Sequence, residues 1–329
     1  TILMSMPRSA ALVEAPPLAA FADDVRAGLL GQPKRLPARW FYDALGSALF
    51  EAICRLPWYR ITRSESALLA RQAPLLVDAA GESASFIELG GGSGEKLAIL
   101  IEAAVARGYR PAVHLIDVSA RALDLAAATL GRFDVRVTTH EATYQAGLSA
   151  TEPAAEGRQL VLFLGSNIGN FDPEEALGLL RQIAGALRPG DLVLVGADLV
   201  KPERDLLLGY DDPLGVTAAF NKNVLLRINT ELGANIDLAS FVHDARWNAD
   251  ASRVEMHLVS TRRQVIDIPR ARCRVTFDRG ESVWTESSYK FEPHGFEQLG
   301  ALAGLALQQQ WVDGPAGFAL TLFQRPLTP

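Results

Sequence analysis

The sequence contains few cysteines: among its 329 residues only Cys54 and Cys273 carry a thiol. They lie far apart, and neither belongs to a CxxC pair or to a cysteine–histidine cluster. The sequence therefore supports neither a disulfide framework nor a zinc site, and we expect a protein that uses no metal. We also expect both thiols to be buried as small apolar side chains.

Long apolar runs and an excess of basic residues are also missing. No stretch approaches the roughly 18 uncharged apolar residues that a membrane-spanning helix needs. Arg8 and Glu14 interrupt the N-terminal region, so no signal peptide is predicted. Lys and Arg number 32 against 38 Asp and Glu, a net charge of −6 that offers no basic surface to a phosphate backbone. We expect a cytoplasmic protein with no membrane and no nucleic-acid partner.

The composition is that of a folded chain, with 49% hydrophobic and 21% charged residues. At roughly 150 residues per domain, the length suggests about two domains. From residue 83 onward, short apolar runs alternate with amphipathic segments of helix length, which predicts an α/β unit with a parallel sheet covered by helices. Its first strands are predicted near 84–89, 113–116, 135–138, 160–164 and 192–197.

The alternation stops at Lys201. From there to about Tyr289, longer helices are followed by polar segments with β propensity, which predicts a second domain inserted into the first. The chain then returns to the first domain with a helix and two apolar strands, predicted at 295–303, 305–312 and 318–323.

A glycine-rich turn, residues 88–94 (ELGGGSG), joins the first predicted strand to a helix at 95–106. Glycines at this place let backbone amides approach a ligand at the carboxyl edge of a parallel sheet. Asp117 follows at the end of the second strand, where a carboxylate can accept hydrogen bonds from both hydroxyls of a ribose. The pattern predicts a ligand that contains adenosine.

Two classes of enzyme fit such a ligand. Dinucleotide-binding enzymes prefer a GxGxxG turn that opens directly into the helix, whereas a strand ending in Glu-Leu-Gly-x-Gly fits enzymes that use S-adenosylmethionine better. We therefore favour a methyltransferase and keep a dehydrogenase as the alternative. Lys96, in the first turn of the helix, reaches either the carboxylate of the cofactor or solvent.

A second glycine-containing block, residues 163–171 (FLGSNIGNF), ends the fourth predicted strand at the same edge of the sheet. Its backbone donors and side-chain amides would lie where the cofactor presents its methyl group. Asp172 already supplies the N-cap of the next helix, so we assign Asn170 to the substrate.

Several longer segments resemble the histidine-specific Nα-methyltransferases of ergothioneine biosynthesis. The similarity runs from about Ala20 to Phe323. Besides the two blocks above, its motifs are residues 40–47 (WFYDALGS), 55–65 (RLPWYRITRSE), 210–221 (YDDPLGVTAAFN), 255–256 (EM) and 285–291 (TESSYKF). Such enzymes transfer three methyl groups from S-adenosyl-L-methionine to the α-amine of L-histidine, giving hercynine, without a metal.

The resemblance implies a Rossmann-type S-adenosylmethionine methyltransferase domain, formed by residues 64–200 and 290–329. A second, α+β substrate-binding domain would consist of residues 10–63 and 201–289. Histidine would bind between them, and we expect a monomer.

The resemblance also implies where the substrate binds. Tyr42, Tyr59 and the backbone of Gly165 would surround the histidine amine, and the two tyrosines are the candidates for carrying its proton away. Gly165 and Gly169 would leave room for the amine as it gains methyl groups. Asn170 would bind the carboxylate.

The remaining substrate residues follow from the same resemblance. Tyr210 would bind the carboxylate together with Asn170. Glu286 and Ser288 would form hydrogen bonds with the imidazole. The rest of the pocket would be lined by Thr217 and Met256.

On the cofactor side, the resemblance assigns Tyr59, Gly90, Lys96 and Asp117. The sequence departs from the family in the adenine region, where an Asp-Phe pair is expected and Thr143-Tyr144 stands instead. Glu141 lies close enough in sequence to replace the acid.

Two other functions fit the same residues. The scaffold could methylate the α-amine of another aromatic amino acid or of a histidine derivative, although Glu286 and Met256 favour imidazole over indole. A non-catalytic protein could bind S-adenosylmethionine as a sensor, although a pocket containing Tyr59, Asn170 and Tyr210 argues against it.

Overall fold

The computed structural model describes residues 18–151 and 157–327. The first residues of the predicted substrate-binding domain, 10–17, and the last two of the methyltransferase domain, 328–329, lie outside the described residues. Within the described ranges, no helix has the length and apolar character needed to cross a membrane.

Helices and strands alternate through the first part of the chain. Three helices come first: α1 Leu18–Leu30, α2 Ala44–Arg55 and α3 Arg60–Ala80. The alternating unit then contains β1 Ser85–Leu89, α4 Glu95–Ala106, β2 Ala112–Asp117, α5 Ala120–Leu130, β3 Val137–Glu141, α6 Tyr144–Ala150, β4 Gln159–Phe163, α7 Pro173–Ala186 and β5 Leu192–Asp198.

A second group of elements follows, and the chain then returns to the first unit. The insertion contains α8 Glu203–Tyr210, α9 Val216–Leu232, β6 Phe241–Asn248, β7 Arg253–Ser260, β8 Gln264–Ile268, β9 Cys273–Phe277 and β10 Ser282–Tyr289. The last elements are α10 Pro293–Leu302, β11 Ala306–Asp313 and β12 Phe318–Gln324.

The central sheet has seven strands in the order β11-β12-β5-β4-β1-β2-β3. The strands β1 to β5 pair in parallel, and β12 pairs antiparallel with both β5 and β11. Every residue of β1, β4 and β5 is buried, because helices cover both faces of the sheet. The predicted α/β fold with a parallel sheet is confirmed.

The third strand begins two residues later than predicted. After α5, the N–H of Phe133 donates to the carbonyl of Leu130, and the N–H of Val135 donates to that of Phe133. This turn uses the residues up to Val135, so pairing with β2 starts at Val137.

The start of α7 follows the predicted pattern. Pro173 takes the first helical position, where its missing N–H costs nothing. The Glu175 carboxylate accepts the backbone N–H of Asp172 at 3.1 Å, one half of a capping box. The block before this helix is thereby fixed at the edge of the sheet.

The insertion forms a three-stranded antiparallel sheet, β10-β7-β6, and a two-stranded sheet, β8-β9. The N-terminal segment joins it: α1 and α2 pack on α9, and the Leu36 N–H donates to the Trp284 carbonyl at 2.8 Å. By contrast, α3 packs against α4 and β12. The division into two domains stays a prediction, and its first boundary, at residues 63 and 64, falls inside α3 near the start of the helix.

The two cysteines are less buried than expected. Both are free thiols that keep part of their surface exposed. Cys54 lies near the end of α2, and Cys273 begins a strand of the small two-stranded sheet, so neither belongs to the closed core. The expectation that they are buried is therefore met only in part, because both are partly buried against the hydrophobic core.

Candidate active site

The glycine turn lies at the carboxyl edge of the central sheet, after β1. Gly90 has a φ of 68°, in the left-handed region that favours glycine, and its N–H donates to the Ile116 carbonyl of β2 at 2.9 Å. A Cβ atom at Gly90 would lie 2.7 Å from the Tyr144 hydroxyl. Glycine therefore keeps this side of the turn open to a ligand.

Glu88, at the start of this turn, is buried without a complete set of partners. Its side chain is 1% exposed, and its Oε2 has no hydrogen-bond partner among the described residues. Burial raises the pKa of Glu88 to about 7, against the opposing effect of Lys96. Because an unsatisfied buried carboxylate is costly, this site fits a ligand that brings an N–H donor or a positive charge.

Asp117 lies at the end of β2, as predicted. Its Oδ1 accepts the backbone N–H of Ser119 at 2.8 Å. Burial raises the pKa of Asp117, and backbone hydrogen bonds from Ser119 and Val118 oppose that rise. Its position at the end of the second strand is the one that a ribose-binding carboxylate takes.

The three residues predicted for the adenine region lie at the same edge. Glu141 pairs with Asp117 at the ends of β3 and β2. The Thr143 hydroxyl accepts the Ala146 N–H at 3.4 Å and so caps α6, while the Tyr144 hydroxyl lies at the glycine turn. The assignment of these three residues to adenine recognition stays a prediction.

A cavity lies next to this edge, between the central sheet and the second group of elements. Its lining includes nine of the ten residues predicted for the substrate pocket: Tyr42, Tyr59, Gly165, Asn170, Tyr210, Thr217, Met256, Glu286 and Ser288. It also includes residues to which the sequence assigned no role: Phe50, Ile53, Ile61, Ser166, Asn167, Gly209 and Phe220. Side chains more than 200 residues apart in sequence thus meet around one space.

The strand β10 places two of these side chains on one face. Its pairing with β7 shifts between Trp284 and Glu286, and the Thr285 hydroxyl at the irregularity donates to the Met256 carbonyl at 2.9 Å. Beyond this bulge, Glu286 lies opposite Met256, and Ser288 follows two residues later on the same face. A bulge of this kind re-aims the side chains that follow it.

Burial sets the electrostatics of the cavity. It raises the pKa of Glu286 to about 7, although the nearby Lys290 lowers it. It also raises the pKa of Tyr59, which is 8% exposed, well above its ordinary value. Tyr59 therefore keeps its proton at neutral pH and is no strong base. Tyr42, by contrast with Tyr59, has 42% of its surface exposed.

Lys96 has a protein partner that the sequence did not predict. Its ammonium forms an ion pair with Glu65, whose side chain is fully buried. Both carboxylate oxygens of Glu65 also accept the Gly165 N–H, at 2.8 and 2.9 Å. Lys96 thus points inward, and the interpretation of a solvated helix face is wrong. The position of Glu65 on the same helix face as Ile61 and Leu68 is the sequence signal for its burial.

Asn167 is a second residue that the sequence analysis missed. Its side chain lies 3.4 Å from the Cβ positions that side chains at Gly90 and Gly165 would occupy. It therefore lies between the glycine turn and the cavity. Gly169, by contrast, is absent from the cavity lining, and a Cβ there would lie 2.6 Å from the Tyr289 carbonyl. The expectation that Gly169 gives room to the amine is wrong, because close packing on Tyr289 explains its small size.

The fold and the site together define a Rossmann-type, S-adenosylmethionine-dependent methyltransferase. The chain belongs to the family of histidine-specific, S-adenosylmethionine-dependent methyltransferases, which it matches over residues 21–325. The family predicted from the sequence is confirmed.

Curated relatives agree with this family. The chain is 42% identical to a histidine N-α-methyltransferase of Mycobacterium tuberculosis over 91% of this chain and 93% of that protein. It is 40% identical to the protein of the same name in Mycolicibacterium smegmatis, over 92% and 94%. Among solved structures, an S-adenosylmethionine-dependent methyltransferase from Clostridium acetobutylicum is 11% identical, with a TM-score of 0.42 over 86% of this chain and 96% of that chain.

Proposed function

We propose that this protein transfers three methyl groups from S-adenosylmethionine to the α-amine of L-histidine, giving hercynine for ergothioneine biosynthesis. The observation that supports this most is the cavity itself. Nine residues assigned to histidine binding line it, and it adjoins the glycine turn. The role of each residue, the domain boundaries, a monomeric state and a cytoplasmic location stay predictions.

The cofactor residues fit the chemistry of S-adenosylmethionine. Glu88 has an oxygen without a partner among the described residues, which fits a positively charged or N–H donor group, and Asp117 lies at the strand end where a ribose would bind. Gly90, Lys96 and Tyr59 would complete the site. When bound, the cofactor supplies a methyl group that its sulfonium already activates, so the protein needs no covalent nucleophile.

The task left to the protein is to align a neutral amine, which is a positioning task. Tyr59, Tyr42 and the backbone of Gly165 would surround the amine. Glu65 holds the Gly165 backbone through one N–H that both of its carboxylate oxygens accept, and thereby fixes one wall of this site. Because Tyr59 stays protonated, we assign it to orientation of the amine and not to general base catalysis.

The direct test is incubation of the purified protein with L-histidine and S-adenosylmethionine, followed by mass spectrometry. We expect products that carry one, two and three added methyl groups on the α-amine. Binding of S-adenosylmethionine without methylation of histidine or of any other aromatic amino acid would instead support a sensor.

Replacing Tyr59 by phenylalanine tests the amine site. The change keeps the ring and removes only the hydroxyl, so we expect normal folding and a loss in kcat/KM of about 3- to 10-fold, the value of one hydrogen bond. Steady-state kinetics would measure it. Tyr109→Phe, the same change at a residue outside the cavity lining, is the control. Equal activity of Tyr59→Phe and the unmodified protein would make Tyr59 a simple core aromatic.

The raised pKa of Glu286 predicts a pH dependence. Above about pH 7 its carboxyl is ionised and accepts an imidazole N–H more strongly, so kcat/KM for histidine should rise with pH through this value. The amine and imidazole of histidine titrate as well. The ratio of kcat/KM between the unmodified protein and Glu286→Gln removes both contributions. A ratio that is constant from pH 6 to 8 would contradict the assignment.

A further inference from the structure

Lys290 is a fully buried lysine with no role so far. It directly follows β10 and continues the two-residue spacing of Glu286 and Ser288. Its Nζ lies 2.8 Å from the Tyr210 hydroxyl, 2.9 Å from the Ser288 hydroxyl and 3.0 Å from Oδ2 of Asp198. An ammonium has three donors and no acceptor, so each N–H has one oxygen to itself.

The charge of Lys290 is secured by Asp198. Burial alone would lower the pKa of Lys290, but the Asp198 carboxylate and the Tyr210 hydroxyl raise it above its usual range. Asp198 ends β5 and is itself 2% exposed. The lysine is therefore a permanent donor behind the cavity wall.

The two hydroxyls beside Lys290 also bond to each other. Tyr210 Oη and Ser288 Oγ are 2.7 Å apart, so one of their two protons lies between them and only one stays available to a ligand. A phenol is a stronger acid than an aliphatic alcohol and hence the better donor, so the tyrosine proton takes the shared position. Tyr210 then has no proton left for the carboxylate of histidine, which leaves that predicted role to Asn170. The Ser288 oxygen then accepts from both Lys290 and Tyr210, which uses both of its lone pairs.

We propose that Lys290 is a positioning residue. It makes Ser288 act toward the substrate ring as a hydrogen-bond donor and not as an acceptor. This inference rests on the proposed function. With Glu286 as the acceptor, the wall then recognises a ring with one N–H and one unprotonated nitrogen. That pattern belongs to neutral imidazole in a single tautomer. A ring N–H at Ser288 would face a donor with an ammonium 2.9 Å behind it.

Lys201 offers a matched control for Lys290. It pairs with the other oxygen of Asp198, at 2.5 Å, and donates to the Ala316 carbonyl at 2.8 Å. Lys290→Met and Lys201→Met each remove one cation from Asp198. Only the first removes the donor that Tyr210 and Ser288 share.

The test is a double-mutant cycle, measured as the Kd of L-histidine by calorimetry in the presence of S-adenosylhomocysteine. Lys290→Met should weaken histidine binding about 10-fold when Ser288 is present, and less than about 3-fold in the Ser288→Ala background. KM should rise more than kcat falls. Lys201→Met should act equally in both backgrounds. An equal effect of Lys290→Met in both backgrounds would overturn the proposal.

Ring analogues give a second measurement that needs no substitution, in case Lys290→Met does not fold. Thienylalanine has no ring N–H. The two isomers of pyrrolylalanine each have a single ring N–H, one at the position of the first imidazole nitrogen of histidine and the other at the position of the second. We expect one isomer, with its N–H at Glu286, to bind more tightly than thienylalanine, and the other to bind more weakly. Tighter binding of both would show that Ser288 accepts, and the proposal would be wrong.

These outcomes are separable from those of the proposed function. Failure of the unmodified protein to methylate histidine would reject the proposed function. Methylation by the unmodified protein together with equal Lys290→Met effects in both backgrounds would reject only the role of Lys290.

Discussion

Glu286→Ala is expected to lower kcat/KM for histidine by roughly 10- to 150-fold, equivalent to about 1.5–3 kcal/mol. The carboxylate lies beside Met256 in the cavity wall, where burial raises its pKa to about 7. A partly buried charge of this kind is costly unless a partner forms a hydrogen bond with it, and in the proposed function the imidazole N–H would be that partner. An amino acid without the N–H would leave the charge unsatisfied, and we expect it to be rejected for that reason.

Competition kinetics with equimolar histidine, phenylalanine and tryptophan would measure this selectivity. In Glu286→Ala, activity toward the two apolar rings should fall much less than activity toward histidine, or rise, because a neutral wall no longer penalises them. Glu286→Gln keeps the shape of the side chain and one acceptor oxygen, so its selectivity for histidine should lie between those of the unmodified protein and Glu286→Ala. Equal proportional losses for all three substrates would show that Glu286 supports the fold.

Asp117→Ala should weaken S-adenosylmethionine binding by about 100-fold or more, because two charge-assisted hydrogen bonds of about 1.5–3 kcal/mol each are lost. Calorimetry with the cofactor alone measures this without any turnover.

Part of the Asp117 side chain also serves the backbone, since Oδ1 accepts the Ser119 N–H. Asp117→Asn retains an oxygen for that N–H and removes the charge, which separates ribose binding from local structure. An affinity for S-adenosylmethionine that stays unchanged in Asp117→Ala would place the ribose elsewhere.

The central sheet was predictable because its strands are recognisable in the sequence as short apolar segments. Apart from Gln159 at the start of β4 and Asp198 at the end of β5, these two strands are apolar runs, as is typical of strands covered on both faces. Asp117 ends β2 where the periodicity changes. The second sheet gave a weaker signal. Its strand β10 mixes Ser, Thr, Glu and Trp, and its polar side chains reflect the cavity and not a regular alternation.

Site residues could be predicted only where they belong to a recognisable sequence motif. Local sequence patterns describe neighbours along the chain, whereas the Glu65 contact with Gly165 spans 100 residues and that of Lys290 with Tyr210 spans 80. Both pairs depend on which helix or strand packs on which. The bulge before Glu286 likewise comes from pairing with β7, and no single residue of β10 predicts it.

The end of β10 is joined to the end of β5 by main-chain hydrogen bonds. The Phe291 N–H donates to the Asp198 carbonyl at 3.1 Å, and the Val200 N–H donates to the Phe291 carbonyl at 3.1 Å. The wall that carries Glu286 and Ser288 is therefore attached to the same sheet edge as the glycine turn. In the proposed reaction, the separation between ring pocket and methyl donor is set by backbone geometry, so the enzyme selects the length of its substrate as well as the chemistry of its ring.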